Sequence, residues 1–249
     1  MCPVTTKIAL VTGANKGIGF ETARQLGALG MTVLVGARDR DRGQTAAEAL
    51  GARFVQLDVT DSGSALGAAG WIGQEYGRLD VLVNNAGITG SSRGLPSETS
   101  LADMRTVYET NVFGVIEVTN ALLPLLRRAP AARIVNVSSE VGSIASRTDP
   151  DGPMAAMPPS LAYTSSKTAL NMVTAMFAME LKDTPIKVNA ANPGYTATDL
   201  NGHSGFRTPA EGAGVTVHLA TLGSDGPTGT LWGHIWTTDG PAGYGVLPW

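Results

Sequence analysis

The chain has 249 residues, enough for one large domain with a sizeable core, and no Pro/Ser linker, charge block or repeat divides it. A net charge of −3 with scattered basic residues leaves no footprint for nucleic acid or an anionic membrane. No segment approaches the roughly 20 apolar residues that cross a bilayer, and none near the N-terminus reads as a signal peptide. Cys2 is the only cysteine, so no internal disulfide can form and a cytoplasmic location is the simple expectation. His203, His218 and His234 stand far apart without partners at ligand spacing, so no metal is expected.

Short β-branched runs at 7–12, 32–37, 54–57, 81–83, 134–137, 186–190 and 234–237 predict strands. They are nearly continuous in apolar character, as expected for a parallel sheet covered on both faces. Between them, helical patterns lie near 17–29, 41–50, 62–76, 100–126, 160–181 and 209–222. Strand–helix alternation with right-handed crossovers predicts a single α/β domain, a doubly wound parallel sheet of about seven strands. Gly30 suits a left-handed cap after the first helix, and Asn111 with Gly114 predicts a kink in the long fifth one. In such sheets ligands sit beyond the carboxyl ends of the strands.

The first carboxyl end carries Thr12-Gly13-Ala14-Asn15-Lys16-Gly17-Ile18-Gly19. Glycines there let backbone N–H groups and the helix dipole approach a pyrophosphate. The spacing G-x-x-x-G-x-G differs from G-x-G-x-x-G and lacks the G-K-[ST] ending of a triphosphate loop. The second strand ends Gly36-Ala37-Arg38, with no acid at its tip to hold the ribose diol of NAD. Arg38 and Lys16 are placed instead to flank a 2′-phosphate, with Arg42 assisting and Asp39 weighing slightly against, so NADP is favoured over NAD. Asp58, in Leu57-Asp58-Val59, is placed to accept from an adenine amino group; capping the following helix is its plainer use.

Tyr163 and Lys167 stand one turn apart on one helix face, ahead of the apolar run Ala169, Leu170, Met172, Val173, Met176 and Phe177. A tyrosine titrates near pKa ~10, and a cation about 4–6 Å away lowers that value, which makes Tyr163 a candidate proton donor or acceptor. Gly202-His203-Ser204-Gly205 looks at first like a hydrolase elbow, but its second glycine comes one position early and no strand precedes it.

The ordered set Thr12-Gly13-(x)3-Gly17-Ile18-Gly19, Leu57-Asp58-Val59, Asn84-Asn85-Ala86-Gly87, Asn111, Val137-Ser138-Ser139, Tyr163-(x)3-Lys167 and Asn192-Pro193-Gly194 resembles the short-chain dehydrogenase/reductase family over nearly the whole chain. Asn15-Lys16-Gly17, Ala37-Arg38-Asp39 and Arg42-Gly43-Gln44 look most like its NADPH-dependent carbonyl reductases. The resemblance implies a Rossmann-type fold with a dinucleotide-binding part over about 1–140 and a catalytic and substrate part over about 141–249. It implies cofactor contacts from Gly13, Asn15, Lys16, Gly17, Ile18, Gly19, Arg38, Asp58 and Val59, with Asn85, Ala86 and Gly87 along the adenosine and ribose side. Pro193, Gly194, Thr196 and Thr198 would hold the nicotinamide carboxamide.

On the same resemblance, Ser139 would hydrogen-bond the substrate carbonyl and Tyr163 would protonate it as hydride arrives from NADPH. Lys167 would bind the nicotinamide ribose and depress the tyrosine pKa, while Asn111 would position a water leading to Lys167. The implied activity is reduction of a ketone, aldehyde or quinone. The alternative is an NAD(P)-dependent alcohol dehydrogenase working in the oxidative direction. A sensor that binds NADP without chemistry is disfavoured, because such proteins usually lose the tyrosine or lysine.

Ser139 and Tyr163 lie 24 positions apart, farther than in the shorter family members. The extra stretch, 143–159, reads as a loop and is only a partial counterpart of the insertion found in monomeric carbonyl reductases. A homo-oligomer, dimer or tetramer, is the expectation, with a monomer left open; the tail from Trp236 to Pro241 resembles a closing strand that helps build oligomers. The segment 199–209, with His203, Phe206 and Arg207, joins 89–95, Val141, Met154, Met157 and Tyr195 in an expected mixed apolar pocket of loose selectivity.

Overall fold

Each predicted strand forms, and its apolar continuity is explained by what covers it. The computed structural model describes residues 6–91, 94–237 and 240–249. The readings made on Cys2, on residues 92–93 of the pocket segment and on Thr238 and Asp239 fall outside them. Strands β1 (Ile8–Thr12), β2 (Thr32–Ala37), β3 (Arg53–Gln56), β4 (Val81–Asn84), β5 (Arg133–Val137), β6 (Lys187–Asn192), β7 (Leu231–Thr237) and β8 (Gly240–Leu247) make one sheet in the order β3-β2-β1-β4-β5-β6-β7-β8. The first seven pair in parallel, and β8 returns antiparallel to β7.

The sheet therefore has eight strands, not about seven. The last, Gly240-Pro241-Ala242-Gly243-Tyr244-Gly245-Val246-Leu247, has too much glycine and too little alternation to read as a strand. It is tolerated because it lies at the edge, paired on one side only.

Helices α1 (Gly17–Ala28), α2 (Arg40–Leu50) and α8 (Pro209–Ala220) cover one face of the sheet, closing a layer that includes Val11, Val35, Val83, Val135, Val215 and Leu219. Helices α3 (Ser62–Tyr76), α5 (Gly114–Leu126) and α7 (Leu161–Glu180) cover the other, over Leu10, Leu34, Leu82, Ile134, Leu122 and Ala178. Each fully buried Leu or Val there contributes about 1.5–3 kcal/mol. No helix of the described residues is long and apolar enough to cross a membrane.

The single long helix expected over 100–126 is two. α4 (Leu101–Tyr108) joins α5 through one π-helical turn, Glu109–Phe113, where Gly114 N donates to Glu109 O. The expected interruption thus takes the form of a π turn that contains Asn111. The stretch 143–159 is more ordered than a loop. It opens with a short helix, α6 (Ile144–Thr148), and Arg147 donates to Met154 O at 2.6 Å and Met157 O at 2.7 Å while Met154 is buried.

Candidate active site

The cradle after β1 is built around close approach. Gly13 and Gly17 have φ of 62° and 59°, which side chains disfavour, and a Cβ on Gly19 would lie 2.4 Å from Asn85 Nδ2. α1 starts at Gly17 with no side-chain cap and no acidic residue in its first turn. By contrast Asp39, Asp61, Ser100 and Thr208 cap α2, α3, α4 and α8. The leading N–H groups of α1 therefore remain free for an anion, the arrangement a pyrophosphate needs. Asn15 and Ile18 lie half-buried in the same turn.

Thr12, which heads the glycine motif but received no role of its own from the sequence, locks this turn to β4. Its hydroxyl accepts from Asn85 N and Ala86 N at 3.0 Å each, and Asn85 Nδ2 donates to Thr12 O and Gly13 O. The Asn85 amide and the Ala86 N–H are thus both engaged by the protein. Asp58 does not cap α3, since Asp61 does. Its carboxylate accepts from Thr60 N and Thr60 Oγ1, while Val59 is buried in the core.

The cations sort differently than the sequence implied. Lys16 Nζ pairs with Asp199 Oδ2 at 2.6 Å, 183 positions away, and His203 Nε2 meets Asp199 Oδ1 at 2.8 Å. Arg42 pairs with Asp39 at 3.6 Å, and Asp39 is occupied as the α2 cap. Among the described residues, only the exposed Arg38 of these three cations has no ion-pair partner at the tip of β2.

Asn111 is fully buried on the π turn. Its Oδ1 accepts from Ile88 N at 2.9 Å, and its Nδ2 donates to Ile88 O and to Ser166 Oγ. Both N–H donors are spent, so its side chain keeps one acceptor position free. On α7, Lys167 Nζ donates to Val137 O at 2.8 Å and lies 5.6 Å from the centre of the Tyr163 ring. Ser139 lies close enough to the Tyr163 hydroxyl to lower its pKa.

Burial pushes Tyr163 up to about 12, with Ser139 pulling the other way, and lowers Lys167 to about 8. The expectation of a tyrosine pulled down by Lys167 is not met in this arrangement. The ammonium is aimed at a backbone carbonyl, so the cost of burying a phenolate outweighs its attraction.

Residues 7–206 match the short chain dehydrogenase family. The chain belongs to that family. It is an oxidoreductase by that membership. Short-chain dehydrogenase anuI of Penicillium roqueforti is 39% identical to it over 234 residues, covering 90% of this chain and 92% of that protein. The NADPH carbonyl reductase 1 of Mus musculus is 35% identical, covering 89% and 94% of the two chains. The solved structure of NADPH-bound carbonyl reductase from chicken fatty liver superposes with a TM-score of 0.83 at 30% identity, covering 98% of this chain and 99% of that one.

On the substrate side of this short-chain dehydrogenase, several pocket expectations change. Arg207 is buried, donating to Glu211 O and Tyr244 Oη, so it belongs to the scaffold of the segment. Met154 is buried within the 143–159 stretch. Thr196 is buried with its hydroxyl turned to Pro193 O and Gly194 O, so its side chain is spent on the loop itself. Tyr195 and Phe206 stay exposed and pack edge to face, and Phe206 also meets Trp236 and His234 of β7. Period-2 spacing of Trp232, His234 and Trp236 was the signal that could have found this aromatic row. A groove of about 550 Å³ lies elsewhere, on the outer face of α7 beside Leu161, Thr164, Thr168 and Met172.

Proposed function

We propose that this short-chain dehydrogenase reduces an apolar ketone, aldehyde or quinone with NADPH, with Tyr163 as proton donor. The observation that carries the reading is the convergence of Ser139, Tyr163 and Lys167 at the carboxyl tip of β5. The Ser139 and Tyr163 hydroxyls are close enough to share one carbonyl oxygen. Burial keeps the phenol protonated at neutral pH, the state a donor needs in the reductive direction. Lys167 uses one N–H on Val137 O and has two left for the nicotinamide ribose. The dinucleotide, when bound, supplies the hydride for the carbonyl carbon.

Gly13, Asn15, Gly17, Ile18 and Gly19 would receive the pyrophosphate, Asp58 and Val59 the adenine, and Asn85, Ala86 and Gly87 the ribose side. Pro193, Gly194, Thr196 and Thr198 would hold the carboxamide through their backbone. In this reading residues up to about 140 bind the dinucleotide and the remainder bring the catalytic and substrate groups, although Asn111 and the Lys16–Asp199 pair cross that line. Asn111 braces α7 through Ser166 and offers its free acceptor position to a water near Lys167.

NADPH is preferred over NADH in this reading because Arg38 is exposed and unpaired among the described residues. Lys16 can exchange its exposed Asp199 pair for a phosphate. The NADPH in the names of the mouse and chicken relatives supports the same choice. Following reduced-nicotinamide absorbance against aromatic and aliphatic carbonyls tests both claims. Turnover with NADPH well above NADH is expected, and Arg38→Asp should cost about tenfold or more with NADPH while sparing NADH. Turnover with NADH alone would overturn the phosphate assignment.

The outer face of α7 leaves Met172, Met176 and Met179 exposed, and the partial 143–159 stretch does not cover them. That face supports the homo-oligomer reading, which light scattering of the purified protein checks.

A further inference from the structure

Along the length that carries Tyr163 and Lys167, α7 meets β5 through hydrogen bonds. Tyr163, Lys167, Asn171 and Thr174 recur on one face of the helix. Consecutive residues of β5 and its tip answer them. Asn136 Nδ2 donates to Thr174 Oγ1 at 2.9 Å, Val137 O accepts from Lys167 Nζ at 2.8 Å, Ser138 Oγ donates to Asn171 Oδ1 at 2.5 Å, and Ser139 faces Tyr163. Asn136 is fixed in turn by Asn84 Nδ2 at 2.8 Å, which also donates to Thr119 Oγ1.

Asn84, Asn136, Ser138, Asn171 and Thr174 are each no more than 3% exposed. Cohesion alone does not account for them. Burying so many polar groups costs more than filling the same seam with leucine and alanine, and Asn171 Nδ2 is left without a partner. Hydrogen bonds differ from apolar contacts in having direction. A seam of methyl groups tolerates rotation or slip of a helix; a ladder of three hydrogen-bonded rungs does not. From the other side, the turn after Ser139 presses on the same helical turn, since a Cβ on Gly142 would lie 2.6–2.9 Å from Lys167 atoms.

We propose that Ser138 and Asn171 are a positioning pair that sets the rotation and axial register of α7 on β5, and so the placement of Tyr163 and Lys167. The pair sits one residue before Ser139 just past the end of β5 and one turn beyond Lys167 in the helix, and both members are buried. The inference rests on the reductase reading, in which supporting residues must hold catalytic groups to about 0.5 Å.

The test compares wild type with Ser138→Ala and with Ser138→Ala/Asn171→Leu. The double variant removes both hydrogen-bonding partners and keeps the seam filled, which favours folding. The expected result is a kcat for NADPH-dependent carbonyl reduction lower by about tenfold or more, with KM for NADPH within about twofold. Carbon-13 NMR of the lysine side chains should also show the Lys167 midpoint falling below about 8, since loosening its hold on Val137 O removes a bond that favours the charged form. An unchanged kcat and an unchanged Lys167 midpoint, with only the melting temperature altered, would overturn the pair as a positioning device. A wild type that turns over no carbonyl would count against the reductase reading alone, and the Lys167 titration, which needs no substrate, then decides the pair. If the double variant fails to fold, Ser138→Ala carries both readouts.

Discussion

Where α8 covers β5, Val135 and Val137 meet Val215 and Leu219 in an apolar layer; where α7 covers the opposite face, Asn136 and Ser138 meet Thr174 and Asn171 through hydrogen bonds. α8 packs on this five-residue strand, and α7 reaches it through side-chain hydrogen bonds. The apolar face supplies cohesion, which grows with area and is indifferent to direction. The polar face supplies angle and register, at a cost in desolvation that the apolar face avoids. The groups that would do chemistry hang from the costly face.

The largest effect expected from breaking this contrast is on the α7 side. Tyr163→Phe should lower kcat by about 10²–10⁴-fold while leaving NADPH binding and the melting temperature nearly as they were, since only a proton donor is lost. Near-normal kcat in steady-state assays, with binding followed by cofactor fluorescence, would end the donor assignment. On the α8 side the converse should hold. Leu219→Ala removes a side chain that is 1% exposed and should cost about 2–5 kcal/mol in urea unfolding, with kcat per folded molecule unchanged. A comparable fall in kcat would show that both faces position the helix.

A smaller effect concerns Glu140, immediately beyond Ser139. Its backbone N–H donates to Asn192 Oδ1 at 3.0 Å; burial raises its carboxyl to about 7, and the Asn192 side chain acting on that carboxyl opposes the rise. A carboxyl raised in the folded state binds more protons there between its unfolded value of 4.5 and about 7, so stability falls as pH rises through that window. Glu140→Gln should therefore stabilise the protein by at most about 3 kcal/mol at pH ~8, and the gain should vanish near pH ~4. Urea midpoints for both proteins at the two pH values check it; a gain independent of pH would assign the effect to packing.

Much of the architecture was legible because it is local. Continuous apolar runs marked β1 to β6, and Asn111 with Gly114 marked the break between α4 and α5. β8 escaped because a strand made from Gly240, Gly243 and Gly245 is held by pairing with β7, not by its own pattern. The 143–159 stretch read as a loop from its prolines, whereas α6 and its internal bonds depend on Arg147 finding the carbonyls of Met154 and Met157. Spacing placed Tyr163 and Lys167 on one helix face, but it could not say that Lys167 would be aimed at Val137 O. Nor could it tell that Lys16 would reach Asp199 or that Arg207 would be buried.

By itself the sequence determined the strand–helix alternation, the glycine turn after β1 and the Tyr163–Lys167 spacing, because backbone sterics and helical period act between near neighbours. Only the tertiary structure decided the eighth strand, the partners of the cations, the raised pKa of Tyr163 and the polar seam between α7 and β5. Burial and hydrogen bonding there join residues such as Asn84 and Asn136, or Ser138 and Asn171, whose proximity no local rule encodes.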